Sequence, residues 1–148
     1  MIIWRQTLVA LLLLGAASAV LAIDYRSVNV PAAILYDSPS QQGKKLYLIK
    51  AQTPVEVVVR LEGWLKVRDA EGSLAWIEAR NLADRRMLVV TAAKGEIRQS
   101  DKVEAALVAT LDKWVAVEFI ELASPGWVKV RHADGATGYI FSTQVWGL

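Results

Sequence analysis

The strongest signal for the fold is the segment Gly126-Trp127-Val128-Lys129-Val130-Arg131-His132-Ala133-Asp134-Gly135-Ala136-Thr137-Gly138-Tyr139-Ile140. It repeats an earlier stretch, Gly63 to Ile77, at an offset of 63 residues and without a gap. Eight of the 15 aligned positions are identical, and both copies open with a Gly-Trp pair. Similarity at a fixed offset is the mark of a duplicated structural unit. The sequence therefore predicts two copies of one small unit.

Each copy has the pattern of a β-hairpin. Residues 64–68 alternate between polar and apolar side chains, so Leu65 and Val67 face one side of a strand. A short turn with Gly72 follows, and Gly135 is its equivalent in the second copy. The preceding runs, residues 55–60 and 117–122, are rich in β-branched residues, and Val55, Val57 and Val59 are predicted to share a face.

Short strands at this spacing favour a small barrel or sandwich. Residues 102–110 are interpreted as a loop that enters a strand. The predicted units are residues 23–83 and 84–148, joined by the short charged linker 83–86. A unit of about 60 residues buries only about 60% of its unfolded surface, so mutual contact would stabilise both units.

The N-terminal residues 1–22 have the pattern of a secretory signal peptide, in which Arg5 precedes an apolar block and then small residues. Cleavage fits after Ala19 or after Ala22, and we favour Ala22 because a polar chain begins there. The alternative is an uncleaved anchor in the inner membrane, although the apolar run of 16 residues is shorter than the ~20 of a usual span. We therefore expect a periplasmic or secreted protein that meets the membrane only through this segment.

Charge and cysteine content exclude several classes of function. The 148 residues contain no cysteine, which removes disulfides, thiolate metal sites and cysteine nucleophiles. Without residues 1–22 the chain has 16 basic and 15 acidic side chains. A net charge of +1 gives no reason to expect a nucleic acid partner.

The hairpin motif resembles the bacterial Src-homology-3 domain, in which a Gly-Trp strand and an Asp-Gly turn precede a Gly-aromatic-Ile strand. Residues 95–100 are similar to an earlier motif of that family, and residues 33–40 are a more divergent copy. The resemblance implies a five- to six-stranded barrel, found outside the cytoplasm and often in tandem. In several members it implies binding to peptidoglycan or to proteins. The predicted fold class is all-β, with two consecutive SH3-like β-barrels after an N-terminal signal helix.

Residues 138–145 are similar to a signature of eukaryotic SH3 domains, with two departures. Phe141 stands in the place of a proline, and Gln144 in the place of a tyrosine. In the eukaryotic domains those residues help to line the groove for proline-rich peptides, so this ligand class is not predicted here.

The residue types needed for catalysis are scarce. His132 is the single histidine and is interpreted as a solvated turn residue. With one histidine and no cysteine, neither a His-Cys triad nor a Cys/His metal cluster can form. Gly72 and Gly135 are hairpin glycines and lack the spacing of a phosphate-binding loop. We predict no enzyme activity, no cofactor and no metal.

Aromatic and cationic side chains are the candidates for ligand binding. Trp64 and Trp127 each share a strand face with two cations, and two interpretations are open. Each indole could cover its own barrel and stack on the hairpin neighbour Trp76 or Tyr139, or it could form a platform for sugar rings or peptides. The candidate ligand-binding residues are Trp64, Lys66, Arg68, Trp76, Trp127, Lys129, Arg131 and Tyr139. Tyr36 and Trp146 are secondary candidates, and Trp114 is predicted to fill the second core.

The leading hypothesis is an exported, non-catalytic binding or adaptor module of the cell envelope, with peptidoglycan or a periplasmic protein as its partner. Two alternatives remain open. One is a purely structural role in which the barrels pack on each other through their aromatic faces. The other is an accessory subunit of a wall hydrolase. The sequence leaves the oligomeric state open.

Overall fold

The computed structural model describes residues 21–148. The predicted signal peptide, apart from its last two residues, lies outside this range. Within the described range, none of the helices has the length and apolar character that crossing a membrane requires.

Two units with the same order of elements follow each other along the chain. The first consists of β1 (Tyr25–Val28), β2 (Ala32–Tyr36), β3 (Lys45–Lys50), β4 (Pro54–Leu61), β5 (Trp64–Arg68), β6 (Leu74–Glu78), a 3₁₀ helix (Ala79–Asn81) and β7 (Leu82–Ala83). The second consists of β8 (Met87–Val90), β9 (Lys94–Arg98), β10 (Leu107–Asp112), β11 (Ala116–Leu122), β12 (Trp127–Arg131), β13 (Thr137–Phe141), a 3₁₀ helix (Ser142–Gln144) and β14 (Val145–Trp146).

Each unit is one antiparallel sheet with the same topology. The order is β3-β2-β6-β5-β4-β1-β7 in the first sheet and β10-β9-β13-β12-β11-β8-β14 in the second. The prediction of an all-β chain with two consecutive units of one fold is therefore confirmed. The end strands of each sheet are not neighbours, so among residues 21–148 the ladders stay open rather than closing a barrel. Register shifts in the β2–β3 and β4–β5 pairs mark bulges, which bend strands.

Each unit encloses its own apolar core. Leu65 and Val67 are buried in the first core, and Val128 and Val130 in the second, as the alternation of the hairpin strands predicts. The prediction for β4 is partly wrong. Val55 is buried and Val57 packs against the core, but Val59 is 41% exposed because the shift in register between Val57 and Val59 breaks the alternation.

The predicted turns are present at both hairpins. Gly72 and Gly135 have φ of +89° and +94°, a left-handed backbone that glycine adopts readily. The interpretation of residues 102–110 also holds, since β10 begins at Leu107 after a stretch of turns and bends.

The two units contact each other through β8, which is buried on both faces. Leu88 and Val90 belong to the second core, whereas Met87 and Val89 are buried without belonging to either core. The Ser27 hydroxyl donates a hydrogen bond of 2.8 Å to the backbone oxygen of Arg85. The linker residue Arg85 is thus bound to β1 of the first unit. The next linker residue, Arg86, makes further contacts between the units.

Arg86 joins both units. Its guanidinium carbon lies 5.7 Å from the centre of the Tyr25 ring and 4.9 Å from that of Phe119. Its Nη2 also donates a hydrogen bond of 2.9 Å to the backbone oxygen of Gly147. One side chain therefore contacts the first strand of the first unit, a central strand of the second unit and the C-terminal segment.

Candidate functional site

Strands β2, β5 and β6 place a group of aromatic side chains on the outside of the first unit. Trp64 and Lys66 alternate with the core residues of β5, and Trp76 alternates with those of β6. Lys66 and Tyr36 are both cross-strand partners of Trp76. We call Tyr36, Trp64, Lys66 and Trp76 the first aromatic face.

The contacts within this face are specific. Trp64 meets Tyr36 edge to face, with ring centroids 5.4 Å apart and planes at 85°. Trp64 pairs with Tyr36 rather than with Trp76 because the register puts Glu78 opposite Trp64. The Lys66 ammonium lies 5.9 Å from the centre of the Trp76 ring. Tyr36 is buried and supports Trp64, whereas both tryptophans are half-buried and keep part of their surface in solvent.

The equivalent surface of the second unit is more closed. Trp127 is only 7% exposed because Phe141 stacks on it, with centroids 4.0 Å apart and planes at 29°. Lys129 lies 5.8 Å from the centre of the Tyr139 ring, which repeats the Lys66 and Trp76 arrangement. We call Trp127, Lys129, Tyr139 and Phe141 the second aromatic face.

Sequence reasoning missed Phe141 as part of this surface. The hairpin register contained the signal, since Trp127 and Phe141 are directly opposite each other. Arg98 stands where the first unit has Tyr36, and it was also missed. Arg98 pairs across strands with Tyr139, and its Nη1 donates a hydrogen bond of 2.9 Å to the backbone oxygen of Ala105.

The two predicted arginines, Arg68 and Arg131, form ion pairs with glutamates. Arg68 Nη1 lies 2.9 Å from Glu56 Oε2, and Arg131 Nη1 lies 3.6 Å from Glu118 Oε2. Both arginines are exposed, and such pairs are worth only about 0–1 kcal/mol. The eight predicted residues therefore fall into three groups. Two rings have a lysine over them, Trp64 and Trp127 pack against other aromatic rings, and the two arginines form ion pairs at the strand ends.

The other predicted candidates lie elsewhere. Trp146 is at the junction of the units, where it packs against Tyr25. The prediction that Trp114 fills the second core is wrong, because Trp114 is 45% exposed in a turn with φ of +72°.

His132 lies in the β12–β13 turn, with Nδ1 2.9 Å from the Asp134 carboxylate. The backbone N–H of Ala136, and then His132, hold the pKa of Asp134 below its ordinary value. Among residues 21–148, no group of three or more His, Cys, Asp or Glu side chains is placed to hold a metal ion.

Two clefts open beside the junction. One has a volume of about 290 Å³ and is lined by Tyr47, Asp69, Glu71 and Trp114 among others. The other has about 270 Å³ and is lined by Gln52, Arg85, Arg131 and His132 among others. Each cleft receives side chains from both units.

Comparison with protein families agrees with this architecture. The family model described as the bacterial SH3 domain matches residues 29–84 and again residues 92–147. The chain therefore belongs to the bacterial SH3 domain family, in two tandem copies, and the resemblance of the hairpin motif is confirmed. No curated protein matches the chain significantly.

Solved structures that match come from larger proteins. NlpC2 from Trichomonas vaginalis is 13% identical with a TM-score of 0.40, and the match covers 84% of this chain and 48% of that chain. NlpC1 from the same organism is 16% identical with a TM-score of 0.40, covering 93% and 50%. An NlpC/P60 family protein from Bacillus cereus is 12% identical with a TM-score of 0.38, covering 82% and 55%. The chain spans about half the length of these structures.

Proposed function

We propose that this protein is an exported, non-catalytic binding module of the bacterial cell envelope and that its ligand is peptidoglycan. The observation that carries the proposal is the first aromatic face, where two half-buried tryptophans and Lys66 lie on the outside of one sheet. Membership of the bacterial SH3 family supports a binding role, and the predicted signal peptide supports export.

The chemistry of this face fits a wall polymer. Peptidoglycan offers sugar rings, whose C–H faces pack on indole, and carboxylates, which attract an ammonium group. Trp64 and Trp76 supply the two rings, and Lys66, the cross-strand partner of Trp76, supplies the positive charge. The ion pair of Arg68 is exposed and weak, so its guanidinium is free to exchange Glu56 for a ligand carboxylate.

The first unit is the better candidate of the two. Phe141 covers the Trp127 indole in the second unit, which leaves less aromatic surface for a ligand. The contacts between the units use another region, including Tyr25, Met87, Val89 and Trp146. The first aromatic face is therefore not the surface by which the two units hold each other.

Co-sedimentation with purified sacculi tests the proposal. We expect the wild-type protein to be recovered in the pellet. Trp76→Ala should bind sacculi about tenfold more weakly, because the contact between the indole and a sugar ring is lost. Tyr139→Ala is the matched control, because Tyr139 is the equivalent of Trp76, and its affinity should stay within about twofold. Circular dichroism confirms that both variants fold.

Recovery of the wild-type protein in the supernatant would contradict peptidoglycan binding. Crosslinking of the protein to a periplasmic partner through position 76 would then favour the alternative of a protein ligand. Export is tested separately by cell fractionation and by the mass of the mature N-terminus, which should begin at Ile23.

A further inference from the structure

Two equivalent turns of the units share an unusual backbone conformation. Gln52 and Trp114 have φ of +65° and +72°, a region that side chains other than glycine rarely adopt. The N–H of Gln52 donates to Val28 O and that of Trp114 donates to Val90 O, both at 2.8 Å. Because glutamine occupies this position in the first unit with the same backbone conformation, the turn itself does not require a tryptophan.

The Trp114 turn faces the other unit across the cleft of about 290 Å³. The cleft lies between this turn and the side chains of β3 and the β5–β6 turn, and the buried Val89 contributes to its lining. The equivalent Gln52 turn lines the second cleft, where the surrounding side chains include Arg85, Arg131 and His132. The same fold position thus carries an aromatic ring in one cleft and an amide in the other.

The polar side of the Trp114 cleft is preorganised. The Tyr47 hydroxyl donates a hydrogen bond of 2.8 Å to Asp69 Oδ2. Asp69 Oδ1 in turn accepts from the backbone N–H groups of Glu71 and Ser73, at 3.0 and 2.9 Å. The pKa of Tyr47 is raised mainly by burial and to a smaller extent by the hydrogen bond to Asp69, so its hydroxyl stays neutral.

The composition of the cleft indicates a neutral ligand with many hydroxyl groups. In the lining, the carboxylates of Asp69 and Glu71 are accompanied by the ammonium of Lys50. A second ammonium, that of Lys113, lies beside the cleft, 4.6 Å from the centre of the Trp114 ring. Hydroxyl groups both donate and accept, so a ligand that carries them can use lysine and carboxylate partners at once. The exposed indole of Trp114 and the exposed side chain of Leu48 provide an apolar surface for C–H groups.

We propose that this cleft is a saccharide-binding site in which Trp114 stacks on a pyranose ring while Glu71, Lys50 and Tyr47 contact its hydroxyl groups. The volume is at the small end of ligand sites and suits one or two sugar rings. The site is separate from the first aromatic face and does not depend on the proposed function. It exists only when both units are in place, because each supplies part of its wall.

Titration of the isotope-labelled protein with two trisaccharides, followed by NMR, tests this site. Triacetylchitotriose carries acetamido groups, and cellotriose has the same linkage without them. We expect the Trp114 indole N–H and the Glu71 and Lys50 amides to shift, with a dissociation constant of about 1 mM. Trp114→Gln should weaken binding about tenfold or more and still fold, since Gln52 has the same backbone conformation. Gln52→Asn, in the other cleft, is the matched control and should bind normally.

Binding of either trisaccharide at these residues, with loss in Trp114→Gln, supports the proposal. A preference for triacetylchitotriose would indicate an N-acetylated glycan, and a preference for cellotriose another polysaccharide. Absence of shifts with both sugars, or unchanged binding by Trp114→Gln, would overturn it. Trp114→Gln retains the first aromatic face, so loss of sacculus binding by Trp76→Ala and loss of trisaccharide binding by Trp114→Gln report on different sites.

Discussion

Tyr25 and Trp146 meet edge to face across the junction of the two units, with ring centroids 5.2 Å apart and planes at 82°. Tyr25 begins β1 and Trp146 ends β14, so the contact joins the first and last strands of the described chain. Burial, and secondarily the charge of Glu56, raise the pKa of Tyr25, while Arg86 opposes the shift. The contact therefore holds a neutral phenol against an indole and couples two units that are small on their own.

Trp146→Ala should uncouple the units. The variant loses a half-buried aromatic contact, so we expect a loss of about 2–4 kcal/mol in the free energy of unfolding. Calorimetry should show the second unit melting before the first, because β14 pairs with β8 of the second unit. The exposed Trp114, changed to glutamine, is the control and should alter stability by no more than about 0.5 kcal/mol. A single unchanged transition in Trp146→Ala would contradict the coupling.

Gly138→Ala should destabilise the second unit although Ala75 occupies the equivalent position in the first. A Cβ at Gly138 would lie 2.3 Å from the backbone oxygen of Arg98 and 2.8 Å from the Ile97 side chain. The strands β9 and β13 must move apart, which costs about 1–3 kcal/mol. Urea unfolding measures the effect. The control is Thr137→Ala at the neighbouring exposed position, which should change the free energy of unfolding by no more than about 0.5 kcal/mol. Equal stability of the two variants would argue against the close approach of the strands at Gly138.

Asp101→Asn should weaken the contact between two loops of the second unit in a pH-dependent way. Hydrogen bonds from the Ser124 hydroxyl and backbone N–H lower the pKa of Asp101 below 3.8. A carboxyl with a depressed folded-state pKa stabilises the fold above its unfolded pKa and loses that effect as pH falls through the folded value. We expect a small decrease in Tm for the variant at neutral pH, which shrinks below about pH 3.8. A difference that persists unchanged at low pH would contradict the ionised contact.

Tyr47 should make the fold sensitive to alkali. Its pKa is raised, first by burial and then by the hydrogen bond to Asp69, so the folded state retains the proton more strongly than the unfolded state. This stabilisation is complete below the unfolded pKa, about 10, and is lost as pH rises through the folded value. The gap in Tm between wild type and Tyr47→Phe should therefore narrow above about pH 10. The pKa of Tyr25 is raised as well, so absorbance titration should show two tyrosines ionising late in the wild type and one in the variant. Two late tyrosines in the variant would exclude Tyr47 as a source.

Local patterns were enough to predict the hairpins. Alternation placed Leu65 and Val67 in the core, and the repeat placed Val128 and Val130 in the equivalent positions. The turn glycines Gly72 and Gly135 were also predicted, because a short hairpin turn needs a backbone that glycine adopts most easily. These features depend only on neighbours within a few residues along the chain.

The site residues were predicted in type but not in environment. Trp64 and Trp127 are equivalent in sequence, yet the first rests on Tyr36 and the second is covered by Phe141. The difference comes from the residues on the facing strands. The first unit has Glu78 where the second has Phe141, and it has Tyr36 where the second has Arg98. A repeat motif alone does not contain those partners.

The two hairpin units, their order and the chemical types on their outer faces follow from the amino-acid sequence alone, since periodicity and turn glycines act locally. Three features follow only from the packing of the folded chain: Val59 is exposed to solvent, Trp114 lines the cleft instead of the core, and Tyr25 contacts Trp146. A bulge, a left-handed turn and the packing of two sheets depend on strands far apart in the chain, because their geometry is set only when those strands are in contact.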